Sequence, residues 1–249
     1  MKKLILVLLF GLIINSSFAQ EFKKNYSNGN IYVIGQVKDG KKIGEFKFYY
    51  ENGKVKQVGT MDGENPVGLW KFYYPNGNLA SKGKFKNKKR NGIWEQYHEN
   101  GKLASKVNVI DDKPNGMWEK YHENGNLASV GAYKGKTPIG LWKIYYANGQ
   151  LEEVGEYYFD STSIIPQIGK KTGKWKTYFS NGQLHEIVTY KENNKFGESK
   201  TYFSNGQLKK IATYKGGKYS PTTGKMETYF KNGQLEYLRK DNGESKSFY

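Results

Sequence analysis

Three features of the chain predict an all-β fold, an elongated, twisted antiparallel meander of tandem β-hairpin repeats. Asn-Gly recurs at 28, 52, 76, 100, 124, 148, 181, 205 and 232, mostly 24 residues apart. Each of these pairs lies between two short runs rich in aromatic and β-branched residues. Helix formers are sparse, while 249 residues include 30 Gly, 21 Tyr, 13 Phe and 5 Trp. A fixed period of this length marks a repeat protein, and Asn-Gly between strand-like runs is the strongest short hairpin signal.

The first element is an address and not part of the fold. Lys2 and Lys3 precede an apolar run from Leu4 to Ile14, and Ser17-Phe18-Ala19 supplies small residues at the positions a signal peptidase reads. Residues 1–19 are therefore expected to be a signal peptide, with the mature chain starting at Gln20. The run has eleven residues, too few at 1.5 Å each to cross a bilayer core of ~30 Å, and no later segment is apolar enough to do so. Export to the periplasm or beyond the cell follows as the expected localisation, with no transmembrane span in the mature chain. Cleavage removes two lysines, so 38 basic residues against 23 acidic ones leave a charge of +15, which favours anionic surfaces. The absence of cysteine excludes a disulfide scaffold, a thiolate metal site and a cysteine nucleophile.

The hairpins follow in order. Two units read G-L-W-K-F-Y-Y-P-N-G-N-L-A-S-K-G-K-F (68–85) and G-M-W-E-K-Y-H-E-N-G-N-L-A-S-V-G-A-Y (116–133). The turn glycines are Gly29, Gly53, Gly77, Gly101, Gly125, Gly149, Gly182, Gly206 and Gly233. A two-residue type I′ loop at each Asn-Gly, with positive φ at both residues, sets the register. In the third unit it places Tyr74 opposite Leu79, Phe72 opposite Ser81 and Trp70 opposite Gly83. One slot then holds Phe22, Phe46, Trp70, Trp94, Trp118, Trp142 and Trp175, all on one face. Five of these face a glycine (Gly35, Gly59, Gly83, Gly131 and Gly155), across which a ring can lie where no Cβ obstructs it. Trp94 opposite Val107 and Trp175 opposite Val188 depart from that pattern. Ser199 opposite Ala212 and Met226 opposite Arg239 show the slot decaying, so the last units are expected to be the weakest, with Arg239 marking a capping unit.

Nine hairpins and an opening strand of a tenth unit, from Gly243 to Tyr249, complete the meander. Eighteen strands at ~4.8 Å would extend about 86 Å. Residues 20–249 are read as one repeat domain, with regular units over 22–158, an insertion over 159–170 and less regular units over 171–249.

The unit G-x-W-x-x-Y-[YH]-x-N-G-x-L-x-x-x-G-x-[YF] is similar to the MORN repeat variant of many exported bacterial proteins, often grouped with YwqK-like antitoxins. The resemblance spans residues 22–249. It implies a hairpin array used for protein interaction or membrane association, without family-wide catalytic residues. The antitoxin grouping implies a toxin partner neutralised by binding, and an exported chain fits that role best as an immunity protein in the envelope.

The residues themselves point to binding and not to catalysis, and no cofactor or metal is expected. His98 and His122 fill equivalent slots two strands, roughly 9.6 Å, apart, too far to share a metal held at ~2.1 Å. Two surfaces remain. The aromatic face is either a core folded on itself by twist or a contact surface, including one for a second copy, and Tyr73, Tyr97, Tyr121, Tyr145 and Tyr178 recur on the opposite face. The second is a lysine edge opposite the Asn-Gly turns: Lys86, Lys88, Lys89, Arg90, Lys134, Lys136, Lys170 and Lys171, joined by Lys113, Lys191 and Lys195. That edge suits anionic lipid or acidic glycan, or else serves solubility and strand-edge protection. Nucleic acid is the less suitable partner, since only Arg90 and Arg239 are arginine. A non-enzymatic exported scaffold with a protein partner is the expected function, with an envelope-lipid or glycan-binding module as the alternative.

Overall fold

The computed structural model describes residues 18–159, 169–214 and 225–249. They form nineteen strands. The first hairpins are β1 (Gln20–Asn25) with β2 (Ile31–Lys38), β3 (Lys41–Tyr49) with β4 (Val55–Asp62) and β5 (Asn65–Tyr73) with β6 (Leu79–Lys86). The central ones are β7 (Lys89–Tyr97) with β8 (Leu103–Ile110), β9 (Lys113–Tyr121) with β10 (Leu127–Lys134) and β11 (Thr137–Tyr145) with β12 (Leu151–Tyr158). After the insertion come β13 (Lys170–Tyr178) with β14 (Leu184–Lys191), β15 (Asn194–Tyr202) with β16 (Leu208–Tyr214), β17 (Met226–Tyr229) with β18 (Leu235–Arg239), and finally β19 (Ser245–Ser247). Every strand pairs antiparallel with its sequence neighbours, which makes an open meander. The sheet continues from β12 to β13, where Glu153 pairs with Thr177.

The Asn-Gly loops close differently from expectation. Gly77 N–H donates to Tyr74 O (2.9 Å) and Tyr74 N–H to Asn78 O (2.8 Å), which encloses three residues and not two. Gly77 has φ 97°, while Asn76 is not among the residues with positive φ. This is a type I turn closed by a left-handed glycine, and its extra residue shifts the register so that Tyr73, not Tyr74, faces Leu79. Asparagine is there for its amide. Asn76 Oδ1 accepts from Asn78 N–H at 2.8 Å, and Asn76 Nδ2 donates to Glu99 O of the next turn at 3.3 Å. The two-residue loops with positive φ at both positions lie at the opposite edge, at Asp39-Gly40, Asn87-Lys88, Asp111-Asp112 and Glu192-Asn193.

Away from the turn, the expected register within hairpins holds: Trp70 pairs with Gly83, Trp118 with Gly131, Trp94 with Val107 and Trp175 with Val188. The rings, however, lie over the other neighbour. A Cβ built on Gly59 would stand 2.2 Å from Trp70 Cδ2, one on Gly83 2.2 Å from Trp94 and one on Gly155 2.1 Å from Trp175. Each ring therefore covers the glycine of the preceding hairpin. A bulge of three residues against one makes this possible: Val58 pairs with Lys71 and Thr60 with Val67, so Gly59 alone faces residues 68–70, with Gly68 at φ 64°. This frame accounts for Trp94 and Trp175, which have glycine seats at Gly83 and Gly155 despite the valines across their own hairpins.

Strand contacts run between sequence neighbours, and no second layer covers either face of the described sheet. The aromatic face is nonetheless a core. Phe46 is 0% exposed, Trp175 1%, Trp70 4% and Trp94 7%, because each ring lies flat on backbone and is walled by the rings beside it. One sheet thus buries the ladder on its own face, without a second layer over it. The ladder runs from Phe22 through Phe46, Phe48, Trp70 and Phe72 to Trp94, and again from Trp118 through Tyr133, Trp142 and Tyr157 to Trp175 and Tyr190. It breaks where Val107 replaces the glycine seat. There Val107 pairs directly with Trp118 and the bulge moves to Asn108. The Trp118 indole is half-buried with Nε1 unpartnered, as is that of Trp142 on its Gly131 seat, whereas Trp70 and Trp94 donate to Thr60 O and Lys84 O at 3.2 Å.

Candidate interaction face

The residue before each slot aromatic points to the face opposite the ladder. In β3, β13 and β15 that position is Glu45, Lys174 and Glu198, all exposed. In four consecutive hairpins it is instead Leu69, Ile93, Met117 and Leu141, exposed by 48, 49, 56 and 52%. Since a charged residue fills the same position elsewhere, the fold does not require these apolar side chains. At two strands per unit they form a row about 29 Å long. Between its last two members, Met117 and Leu141, a shallow groove is lined by Val130, Ala132, Ile139, Lys143 and Tyr145. These four residues were not singled out from the sequence. The signal was present as the series E-E-L-I-M-L-K-E read at one repeat position from Glu21 to Glu198.

The expected tyrosines flank this row. Tyr73, Tyr97, Tyr121, Tyr145 and Tyr178 are half-buried. Tyr97 O–H donates to Glu95 Oε2 (2.6 Å) and Tyr121 O–H to Glu119 Oε2 (2.9 Å). Glu95 also meets Lys82 Nζ at 2.9 Å. That ammonium, then the Tyr97 hydroxyl, holds the Glu95 carboxyl below the usual range, while burial, then the carboxylate, pushes Tyr97 up. The face therefore combines apolar side chains with polar groups already fixed in place, a pattern suited to recognition.

The lysine edge is partly neutralised by its own neighbours. Arg90 Nε lies 3.1 Å from Asp112 Oδ1, whose carboxyl is held low by the Arg90 amide and then by its guanidinium. Lys170 pairs with Glu192 at 3.1 Å. Lys171 turns onto the ladder face, pairing with Glu153 at 2.7 Å with its ammonium 3.8 Å from the Trp175 ring centre. Lys195 pairs likewise with Glu186 at 2.6 Å. Lys134 Nζ rests 4.7 Å from the Phe159 ring. Lys86, Lys88, Lys89, Lys113, Lys136 and Lys191 are exposed at or beside the two-residue loops.

His98 and His122 have a structural place. Tyr26, Tyr50, Tyr74 and Tyr146 each donate a hydroxyl to a backbone carbonyl of the next unit at 2.6–2.7 Å. At the same position His98 Nε2 lies 3.0 Å from Tyr121 O and His122 Nε2 2.8 Å from Tyr145 O. A carbonyl only accepts, so Nε2 carries the proton, and the imidazoles stand in for tyrosine.

The family model described as "MORN repeat variant" matches residues 42–62, 66–87, 90–111, 114–134, 138–157, 171–192, 197–215 and 222–239. Each match begins in the first strand of a hairpin or just before it and ends in the second or just beyond, and β1, β2 and β19 are the described strands that no match reaches. No curated protein matches the chain. Similar solved structures include TcdB2-TccC3, at 10% identity and a TM-score of 0.23 over 88% of this chain and 14% of that one. Another is the Photorhabdus luminescens Tc holotoxin pore with the TccC3 mutation D651A, at 12% identity and a TM-score of 0.23 over 89% and 13%. The chain thus spans about one-seventh of these proteins, and at such scores the likeness carries no argument.

Proposed function

The chain belongs to the MORN repeat variant family, and from that premise we propose that it is an exported scaffold without a chemical step whose face opposite the aromatic ladder binds a protein. One observation carries this reading: Leu69, Ile93, Met117 and Leu141 are half exposed at a position that other units fill with Glu or Lys. Apolar rows left open to water without a folding role mark contact surfaces. The tyrosines beside them add rigid, amphipathic contact area. An immunity role in the envelope, in which binding neutralises a toxin, is the form that fits an exported chain.

The anionic-surface reading has less support, because Arg90, Lys170 and Lys171 already hold acidic partners. One experiment separates the two. Wild-type chain and a variant with Leu69→Glu, Ile93→Glu, Met117→Lys and Leu141→Lys are used to capture proteins, lipids and polysaccharides from an envelope extract, with low- and high-salt washes. The expected result is a salt-resistant protein held by the wild type and lost by the variant, with unchanged melting. Equal retention of a protein by both would reject this face. Retention only of salt-labile lipid or glycan would move function to the lysine edge.

A further inference from the structure

Asparagine followed by glycine is prone to self-cleavage of its side-chain amide, because glycine offers no side chain to shield its backbone nitrogen. That nitrogen attacks Asn Cγ, forming an N–Cγ bond, while the Cγ–Nδ2 bond breaks and ammonia leaves with the glycine proton. Water then opens the five-membered imide at either carbonyl, giving aspartate or isoaspartate without any redox change. Ring closure requires the amide to swing away from its hydrogen-bond partners and onto the glycine nitrogen, so the partners set the rate.

This repeat contains an internal control. Residues 176–184 and 200–208 are identical, Lys-Thr-Tyr-Phe-Ser-Asn-Gly-Gln-Leu. Phe179–Leu184 and Phe203–Leu208 share one pattern of exposure. Gly182 N–H donates to Phe179 O at 2.8 Å, and Gly206 N–H to Phe203 O at 2.9 Å. Asn181 Oδ1 accepts from Gln183 N–H at 3.0 Å, and Asn205 Oδ1 from Gln207 N–H at 3.1 Å. The two asparagines differ at Nδ2. Asn181 donates to Ser204 O in the next hairpin at 2.9 Å, whereas Asn205 folds back onto its own Gln207 Oε1 at 2.8 Å. Asn52, Asn76, Asn100, Asn124 and Asn148 are latched to the next unit like Asn181, while Asn232 folds back onto Gln234 Oε1 like Asn205.

We propose that Asn205 and Asn232 are sites of spontaneous deamidation in the folded protein, and that the latch to the next hairpin protects Asn52, Asn76, Asn100, Asn124, Asn148 and Asn181. Each conversion adds a negative charge to the turn edge of the last units, and the isoaspartyl product also lengthens the turn backbone by one atom.

The test keeps the full chain at pH 8 and 37 °C for several weeks, folded and in urea, and follows Asp and isoAsp at each turn by peptide mass spectrometry. In the folded chain Asn205 is expected to convert about five-fold or more faster than Asn181, since each amide gives up one Nδ2 bond, but the Gln207 side chain can turn with Asn205 whereas Ser204 O is held in the backbone of another hairpin. In urea the two nonapeptides are expected to convert alike. Amide exchange at Gly182 and Gly206 is measured in the same samples. Similar protection there with unequal conversion assigns the difference to the side-chain latch. Equal conversion in the folded chain, or conversion that merely tracks amide opening, overturns the proposal.

Discussion

The hairpins from β3 to β14 and those from β15 onward share one turn and one strand pattern, yet they are joined by different means. In the first group rings seat on the previous unit's glycine, as with Phe46 on Gly35 and Trp175 on Gly155. Tyrosine or histidine reaches a carbonyl of the next unit as far as Tyr146, and asparagine does so as far as Asn181. In the second group the ring slot holds Ser199, opposite Ala212 in its own hairpin, and then Met226. Phe203 and Phe230 lack the hydroxyl, Asn205 and Asn232 fold back, and the strands shorten to four, five and three residues in β17, β18 and β19. All three inter-unit devices lapse within a few strands. In a quasi-one-dimensional array stability is a sum of unit and interface terms, so the contrast is one of interfaces more than of hairpins.

Removing a seated ring is expected to have the largest effect. Trp94→Ala is expected to cost about 4 kcal/mol in denaturant melts, while Trp118→Ala, whose ring is half-buried beside Val107, costs about 2 kcal/mol. Equal losses would remove the glycine seat as the cause. Filling a seat comes next. Gly83→Val places a Cβ 2.2 Å from the Trp94 ring and is expected to cost about 3 kcal/mol, against less than ~1 kcal/mol for Ala212→Val. The hydroxyl latch is smaller. Tyr74→Phe removes a 2.7 Å bond to Tyr97 O and is expected to cost about 1 kcal/mol, and Phe179→Tyr should return a similar amount by reaching Tyr202 O. A stabilising Phe179→Tyr beside a neutral Tyr74→Phe would contradict the account.

Alkaline pH sharpens the same contrast. Burial raises Tyr133, Tyr157 and Tyr190 in the second stack, and the Glu227 carboxylate, with burial, pushes Tyr229 up to about 12. Unfolded tyrosine titrates near ~10, so the folded state holds these protons longer. Their contribution is complete below pH ~10 and is lost as pH rises toward 12. Melting followed from pH 8 to 11 is expected to fall above pH ~10, most for the units from β9 onward. In the first stack Phe48, Phe72 and Phe85 carry no such proton, and in the units before β9 Tyr26 and Tyr97 are the tyrosines raised in this way. The smallest effect expected is Val107→Gly, near zero in stability because glycine entropy offsets the new seat. Its readout is a blue shift of Trp118 emission as the ring lies down.

The sequence made the period, the meander and most of the pairing within hairpins legible, because those follow from spacing around one turn. It did not reveal which glycine each ring covers, since that depends on pairing across the loops between hairpins. Those loops take positive φ at residues such as Lys88 and Glu192, which do not announce a turn. A correlation could have exposed it: Val188 and Ala212 stand in the seats just before Ser199 and Met226, where the aromatic disappears. Asn-Gly was read by its strongest meaning, a two-residue turn. The same dipeptide at Asn91-Gly92 and Asn115-Gly116 lies within β7 and β9, where glycine serves the bulge. The apolar row was hidden because each of its residues looks like ordinary strand alternation until one position is compared across units.

Native-state hydrogen exchange, resolved by strand, reads the strength of each interface separately. If interface devices set the strength of the array, amides of β3 to β14 exchange only through large openings, and protection falls in steps from β15 to β19. Uniform protection across both groups would contradict it.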